Sequence, residues 1–157
     1  MDGLATTKDE VIGNFSRETF RQVMDTNAFG TLAVTEALLE NVKASEQKKV
    51  VVITSLSGSI AQGGGGLLFC RMSKAALNMA TQNLRAETKG QGVIFASIAP
   101  GLVDAEMWKQ VEGAYNVPLP KPITPEESIA GMIKVIEALN ALNSTKVLNY
   151  TGDNIPF

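Results

Sequence analysis

The sequence has no histidine and only one cysteine, Cys70, in 157 residues. A single cysteine cannot form a disulfide bond within the chain, and without histidine the chain lacks the usual ligands of a zinc site. These absences exclude a disulfide-stabilised secreted scaffold and a typical zinc enzyme. They also favour a reducing compartment, so we expect a cytoplasmic protein without a bound metal.

An excess of one charge and long apolar runs are also missing. Lysine and arginine number 14 against 16 aspartate and glutamate, for a net charge of −2, and both signs are spread along the chain. This leaves no basic stripe for nucleic acid, no polybasic segment for an anionic membrane, and no apolar stretch long enough to cross a bilayer. We therefore expect a small-molecule or protein partner, and neither nucleic acid nor a membrane.

The residues that are present are those of an ordinary globular domain, with 45% hydrophobic and 19% charged residues. This size and composition predict a single domain over residues 1–157. Residues 1–15 are a polar leader in this prediction, because they contain neither the basic start nor the apolar core of a secretion signal.

Hydrophobic periodicity predicts three long helices. Ser16 is a suitable N-cap for a helix that runs to about Lys43, and the apolar residues between them mostly recur at steps of three or four. A second helix is expected at about residues 72–88. A third begins after Thr124, where Glu127 completes a capping box.

Three apolar runs predict the strands. The segments "KKVVVITS" and "VIFASIAPG" are too apolar to alternate, which is typical of strands buried on both faces of a parallel sheet, and a short strand follows at "KVLNY". The alternation of helices and strands indicates an α/β fold with right-handed crossovers. The glycines at 63–66 follow no G-x-G-x-x-G pattern, so they predict a flexible loop rather than a phosphate-binding turn.

Five short motifs occur in an order that points to one family. They are "NAFGT", "VVVITSLSGSI", "CRMSKAALN", "IAPGLVDAEM" and the C-terminal "NYTGDNIPF". Together they resemble the short-chain dehydrogenases/reductases, and more narrowly their carbonyl-reductase-like branch. The resemblance implies the C-terminal part of a doubly wound, Rossmann-like parallel sheet, with three strands and flanking helices. The family's Gly-rich nucleotide-binding half has no counterpart here, which leaves the strand at residues 50–53 with an unpaired edge.

The resemblance also implies an activity, the NAD(P)-dependent reduction of a small carbonyl compound. In the family a tyrosine gives a proton to the carbonyl, a lysine four residues later tunes it and binds the ribose, a serine holds the carbonyl oxygen, and an asparagine positions water. By position Lys74 matches the lysine, Asn27 the asparagine, and Ser55 the serine, with Ser57 as the alternative. Cys70 stands at the position of the tyrosine.

The cofactor implied by the resemblance is NADP or NAD. The positions that match its contacts in the family are Asn27, Lys74, Pro100, Gly101 and Val103, whereas Ala105 stands where the family often has a threonine. Because the Gly-rich turn that meets the pyrophosphate is missing, we expect this chain alone to bind the cofactor weakly.

Each candidate residue also has a plainer interpretation. Cys70 belongs to a residue type that commonly fills buried space, and Lys74 would ordinarily be a solvated charge on an amphipathic helix. Asn27 could hydrogen-bond locally and bend its helix, and Ser55 and Ser57 could satisfy backbone groups at a strand end.

Two functional hypotheses follow, and a third rests on fold analogy. The first is an oxidoreductase-like protein with ancestral carbonyl reductase chemistry, weak or inactive as this chain because the first half and the tyrosine are missing. The second is a non-catalytic short isoform or fragment that acts by association, as a homo-oligomer through its two long helices. A close-packing stripe for such an interface is formed by Ala76, Met79, Ala80 and Leu84. The third is binding of some other small ligand at the carboxyl ends of the strands.

Overall fold

The computed structural model describes residues 9–111 and 120–157. Its N-terminal part is a small hairpin. Its strands are β1 (Glu10–Val11) and β2 (Asn14–Phe15), which pair antiparallel around Gly13, whose φ is 93°. A positive φ is easily adopted by glycine, so Gly13 permits this tight turn. The predicted polar leader therefore contains a hairpin, and its residues 1–8 lie outside the described residues.

A long helix with an internal π-turn follows the hairpin. It consists of α1 (Arg17–Met24), a π-helical turn at Asp25–Phe29, and α2 (Gly30–Ala44). The hydroxyl of Ser16 accepts a hydrogen bond from the backbone N–H of Thr19 at 3.2 Å, which confirms the predicted N-cap. The π-turn was not expected from the periodicity, and π-turns often occur at functional sites.

The main sheet has four strands in the order β3, β4, β5, β6. The strands β3 (Lys49–Ile53), β4 (Ile94–Ala99) and β5 (Val147–Asn149) are parallel neighbours, as predicted. The sheet also contains a fourth strand that was not predicted, β6 (Asn154–Ile155), which pairs antiparallel with β5. Between β5 and β6 the chain reverses in a turn, where the side-chain oxygen of Asn149 accepts hydrogen bonds from two backbone N–H groups. The strand β6 has no apolar pattern by which the sequence would predict it.

Three further helices flank this sheet, namely α3 (Leu68–Glu87), α4 (Glu106–Val111) and α5 (Pro125–Ala138). The N-cap of α5 is confirmed, because the Thr124 hydroxyl accepts a hydrogen bond from the Glu127 N–H at 3.2 Å. Helix α3 begins at Leu68, four residues earlier than the predicted start near Met72. No helix among residues 9–111 and 120–157 has the length and apolarity needed to cross a membrane.

The core lies on both sides of β4. Val135 of α5 and Leu139, its C-cap, pack with Ala96 and Ile98 on one face, while α3 covers the other face and buries Leu77. Within the described residues β3 pairs with β4 alone, so its other edge is open, and Ile53 is 47% exposed. The carboxyl end of β3, beside this open edge, is where the candidate site residues meet.

Candidate active site

One cavity of about 1450 Å³ collects the predicted site residues. It lies where β3 and β4 end and extends along the open edge of β3 to the facing side of α2. The predicted residues that line it are Asn27, Ser55, Ser57, Cys70, Lys74, Pro100, Gly101, Val103 and Ala105. Residues that are far apart in the sequence thus line the same cavity. Their catalytic and cofactor-binding roles remain predictions.

Lys74 reaches from α3 to the end of the neighbouring strand. Its Nζ donates a hydrogen bond to the backbone oxygen of Ile53 at 3.1 Å. Burial lowers the pKa of Lys74, and the nearby Cys70 opposes this effect only in part. Lys74 is therefore a half-buried ammonium group fixed at the mouth of the sheet, and not the freely solvated surface charge of the plainer interpretation.

Cys70 lies one helical turn before Lys74 and lines the same cavity. Burial raises the pKa of its thiol; the charge of Lys74 works against this rise, and that of Glu10 adds to it. A raised pKa keeps a thiol protonated near neutral pH, and the protonated form is a poor nucleophile. The environment thus retains the proton at position 70 and does not activate the sulfur for attack.

Ser55 opens the short 3₁₀ turn Leu56–Gly58 that follows β3, and its hydroxyl oxygen accepts the backbone N–H of Ser57 at 3.1 Å. The turn lies directly against α3, since a Cβ on Gly58 would come within 2.9 Å of Lys74 and of Asn78. Glycine at this position therefore allows Ser55 to approach the helix of Cys70 and Lys74. The Ser55 hydroxyl uses its oxygen as an acceptor here, so its proton can be donated to a ligand.

Asn27 lies in the π-turn and reaches across to α3. Its side chain is 6% exposed, and its Nδ2 donates to the hydroxyl of Ser73 at 3.0 Å. The Ser73 hydroxyl in turn donates to the backbone oxygen of Cys70 at 2.8 Å. The side chain of Asn27 thus forms a hydrogen bond with a residue 46 positions away and not with its own helix. Within the helix it is the backbone oxygen of Asn27 that accepts a side-chain hydrogen bond, from the hydroxyl of Thr31.

The loop after β4 holds the predicted cofactor residues Pro100, Gly101 and Val103. The oxygen of Pro100 accepts a hydrogen bond from the Ser128 hydroxyl of α5 at 2.6 Å, and Val103 forms a parallel bridge with Ile123. Gly101 has a φ of 87°. Ile123 and the start of α5 just after it therefore fix the path of this loop.

Several residues that shape the site were not identified from the sequence. The ring of Tyr150 lies so close to Gly101 that a Cβ there would be 3.0 Å from it, and Ser73 links Asn27 to Cys70. Glu10 of the hairpin accepts the N–H of Phe69 at the start of α3. No motif of the sequence signals these contacts, because each joins residues that are far apart along the chain or look like ordinary helix residues. No cluster of three metal-ligating side chains occurs among the described residues.

A family model described as short chain dehydrogenase matches residues 3–116. Among relatives, C-signal from Myxococcus xanthus is 35% identical over 132 residues, which cover 83% of this chain and 74% of that protein. The 1-hydroxy-2-glutathionyl-2-methyl-3-butene dehydrogenase of Rhodococcus sp. (strain AD45) is 32% identical over 145 residues, covering 92% of this chain and 61% of the dehydrogenase.

Carbonyl reductases of known structure share the fold. The NADPH-bound carbonyl reductase from chicken fatty liver gives a TM-score of 0.82 at 26% identity, over 98% of this chain and 63% of its own. For carbonyl reductase Sniffer of D. melanogaster the TM-score is 0.81 at 22% identity, over 100% of this chain and 64% of its own. The chain thus spans less than two thirds of the length of these structures, and it shares their fold over that part. The family model, the relatives and the fold agree, and the chain belongs to the short chain dehydrogenase family.

Proposed function

We propose that this chain carries the substrate-side half of an NAD(P)-dependent reductase for small carbonyl compounds, and that as this chain its activity is weak or absent. The observation that supports the proposal is the convergence of Lys74, Ser55 and Cys70 on one cavity at the carboxyl ends of parallel strands. Ligands of open α/β sheets bind at this end of the strands.

A carbonyl reduction needs a hydride at the carbon and a proton at the oxygen. When bound, a nicotinamide supplies the hydride. The Ser55 hydroxyl can donate a hydrogen bond to the carbonyl oxygen, and the ammonium group of Lys74 stabilises the negative charge that develops there. The Cys70 thiol keeps its proton, but it ends an aromatic ring short of the oxygen that a tyrosine would place. Proton delivery is thus the step that this chain performs worst.

The cavity fits the nicotinamide half of NADP or NAD better than the rest of the cofactor. Lys74 and Asn27 line it together with the loop of Pro100, Gly101 and Val103, so a ribose and a carboxamide would meet polar groups. The glycines at 63–66 lie before α3 in an irregular loop, and two of their backbone oxygens accept from Arg71. The loop also lacks the G-x-G-x-x-G pattern of a turn that presents backbone N–H groups to a pyrophosphate. Full cofactor binding therefore requires residues beyond these.

Binding of reduced nicotinamide mononucleotide, which is only the fitting half of the cofactor, tests this function. We expect chemical-shift changes at residues around the cavity in the wild type, and their loss in Lys74→Met, because the ammonium group that meets the ribose is removed. Lys89→Met is the matched control, since Lys89 is exposed at the far end of α3 and should leave binding unchanged. Equal binding by all three proteins, or none by the wild type, would count against the proposal.

The second candidate function is association, and the open edge of β3 favours it. This edge and the facing side of α2 form an apolar groove, in which Val34 is 60% exposed and Leu38 is 51% exposed. On α3, Met79 is 52% exposed, and its stripe neighbours Ala76, Ala80 and Leu84 are only half-buried, whereas the core side of the helix buries Leu77. The predicted stripe therefore faces away from the core, which is where a second copy would bind.

A further inference from the structure

The peptide backbone at Cys70 is held from its N-terminal side by an element that the proposed function does not use. Helix α3 begins after Leu67, which has a left-handed conformation, with a φ of 51°, and makes no side-chain capping bond. The cap comes from Glu10 instead, whose Oε2 accepts the N–H of Phe69 at 2.6 Å. The backbone N–H of Cys70 also favours the charged form of this carboxyl group and so works against the rise of its pKa. A residue 59 positions away thus caps the helix that carries the site.

The position of Glu10 is costly for a residue that only caps a helix. Glu10 is 6% exposed, and its Oε1 is buried without a hydrogen-bond partner. Burial raises the pKa of this carboxyl group although the backbone N–H groups of Phe69 and Cys70 favour its charged form. A serine or aspartate at position 67 would cap the helix locally without burying a carboxylate in the core.

The hairpin that presents Glu10 is anchored at the same turn of α3. The rings of Phe15 and Phe69 lie 6.1 Å apart, and those of Phe20 and Phe69 lie 5.4 Å apart in an edge-on arrangement. Because Phe69 precedes Cys70, this aromatic cluster and the carboxylate fix the same backbone segment.

The C-terminal side of the Cys70 peptide is held by a second, separate contact. The Cys70 oxygen accepts the Ser73 hydroxyl, which accepts from Asn27 of the π-turn. We infer that Glu10 is a positioning residue of the candidate site, which together with Asn27 clamps the Cys70 peptide from both sides and so sets the direction in which residue 70 faces the cavity. The relevance of this clamp to catalysis rests on the proposed function. The clamp itself rests only on the contacts described above and does not depend on that function.

The pH profile of Cys70 alkylation tests the clamp without cofactor or turnover, because Cys70 is the only thiol. The profile yields two quantities, a plateau rate that reports how the thiol is presented and a midpoint that reports its pKa. Glu10→Gln keeps an acceptor oxygen but removes the charge that raises the pKa of the thiol, so we expect the wild-type plateau and a midpoint at lower pH, with a larger thiolate fraction below the midpoint. The other charges on the thiol, Lys74 and Arg71, are unchanged.

Two other variants separate positioning from charge. Glu10→Asp keeps the carboxylate but withdraws it by one methylene, and Glu10→Ala removes it, so we expect both to change the plateau rate several-fold. Asp9→Asn is the matched control, because Asp9 accepts from Thr19 and not from α3, and it should leave plateau and midpoint unchanged. If Glu10→Ala does not fold, Glu10→Asp decides the outcome. Plateau rates equal to wild type in the folded variants, or an Asp9→Asn profile equal to that of Glu10→Gln, would overturn the inference.

Discussion

At the scale of single residues, burial acts on Cys70 and Lys74 in opposite directions and favours the neutral form of each. The pKa of the thiol is raised and the pKa of the ammonium group is lowered, and each group partly opposes the shift of the other. The pair therefore holds a proton on sulfur near neutral pH. Such a pair suits weak proton donation better than nucleophilic attack.

Glu10 makes the stability of the fold depend on pH. Its pKa is raised above the ordinary value of 4.5 because burial disfavours the charged form. The contribution of such a group to stability is fully present below its unfolded pKa and is lost as the pH rises through its folded pKa. We therefore expect the wild type to lose free energy of unfolding, relative to Glu10→Gln, as the pH rises from below 4.5 through the raised pKa of Glu10. Urea unfolding of both proteins across this range measures the difference, and parallel curves would contradict the assignment.

At the scale of elements, the sequence predicts those structures whose signals are local. Ser16 and Thr124 cap helices where expected, and the runs that became β3 and β4 pair in parallel. The early start of α3 could not be predicted, because its cap comes from Glu10 in a different element. The π-turn and β6 were not predicted for the same reason, because each depends on contacts with another element and not on a pattern in its own sequence.

The site follows the same division. Its residues could be named from motif positions, and the cavity brings them together. The contacts that orient them, such as Ser73 between Asn27 and Cys70, have no sequence pattern that distinguishes a linking serine from an ordinary helix serine. Long-range side-chain geometry is therefore what the sequence does not supply.

The contact between α5 and the end of β5 offers an element-scale prediction. A Cβ on Gly131 would lie 2.5 Å from the Tyr150 backbone oxygen and 2.8 Å from its ring. Alanine in place of a helical glycine usually stabilises by up to about 1 kcal/mol, whereas overpacking costs about 1–3 kcal/mol. We expect Gly131→Ala to lower the free energy of unfolding. Chemical denaturation measures it against Gly64→Ala, where the nearest atom is an ordinary 3.5 Å away and little change is expected. A Gly131→Ala protein more stable than wild type would show that α5 shifts freely.

At the scale of the whole molecule, two apolar surfaces are candidates for association. One is the groove along the open edge of β3, and the other is the half-buried stripe of α3 around Ala80. An open strand edge invites pairing with another strand, and a small-residue stripe on a helix allows close approach of another helix. The two surfaces predict different assemblies, which single charges can distinguish.

We expect the chain to self-associate, and sedimentation of two variants should identify the surface. Ala80→Glu places a carboxylate in the α3 stripe and should dissociate a helix-mediated dimer, because an unpaired charge would be buried. Ile53→Lys places a charge on the open edge and should dissociate a strand-mediated one.

The controls for this experiment lie beside each position. Gln82→Glu adds the same negative charge on α3 but about 120° around the helix from Ala76, outside the stripe, and Leu56→Lys adds the positive charge in the turn beyond β3, so both should assemble like the wild type. A compact wild-type monomer at high micromolar concentration would contradict association altogether.

The π-turn at Asp25–Phe29 determines which side of α2 meets the groove. An α-helix rotates by about 100° per residue, so a turn that contains an additional residue acts as a rotational spacer between the segments before and after it. Before the spacer, Val23 points into the core; after it, no residue of α2 is fully buried. Removing one residue here would restore a regular helix and rotate the whole of α2 relative to α1, so that a different set of side chains would line the groove. Deleting a single residue would therefore change which side chains this molecule presents to a ligand or a partner, although its composition would hardly change.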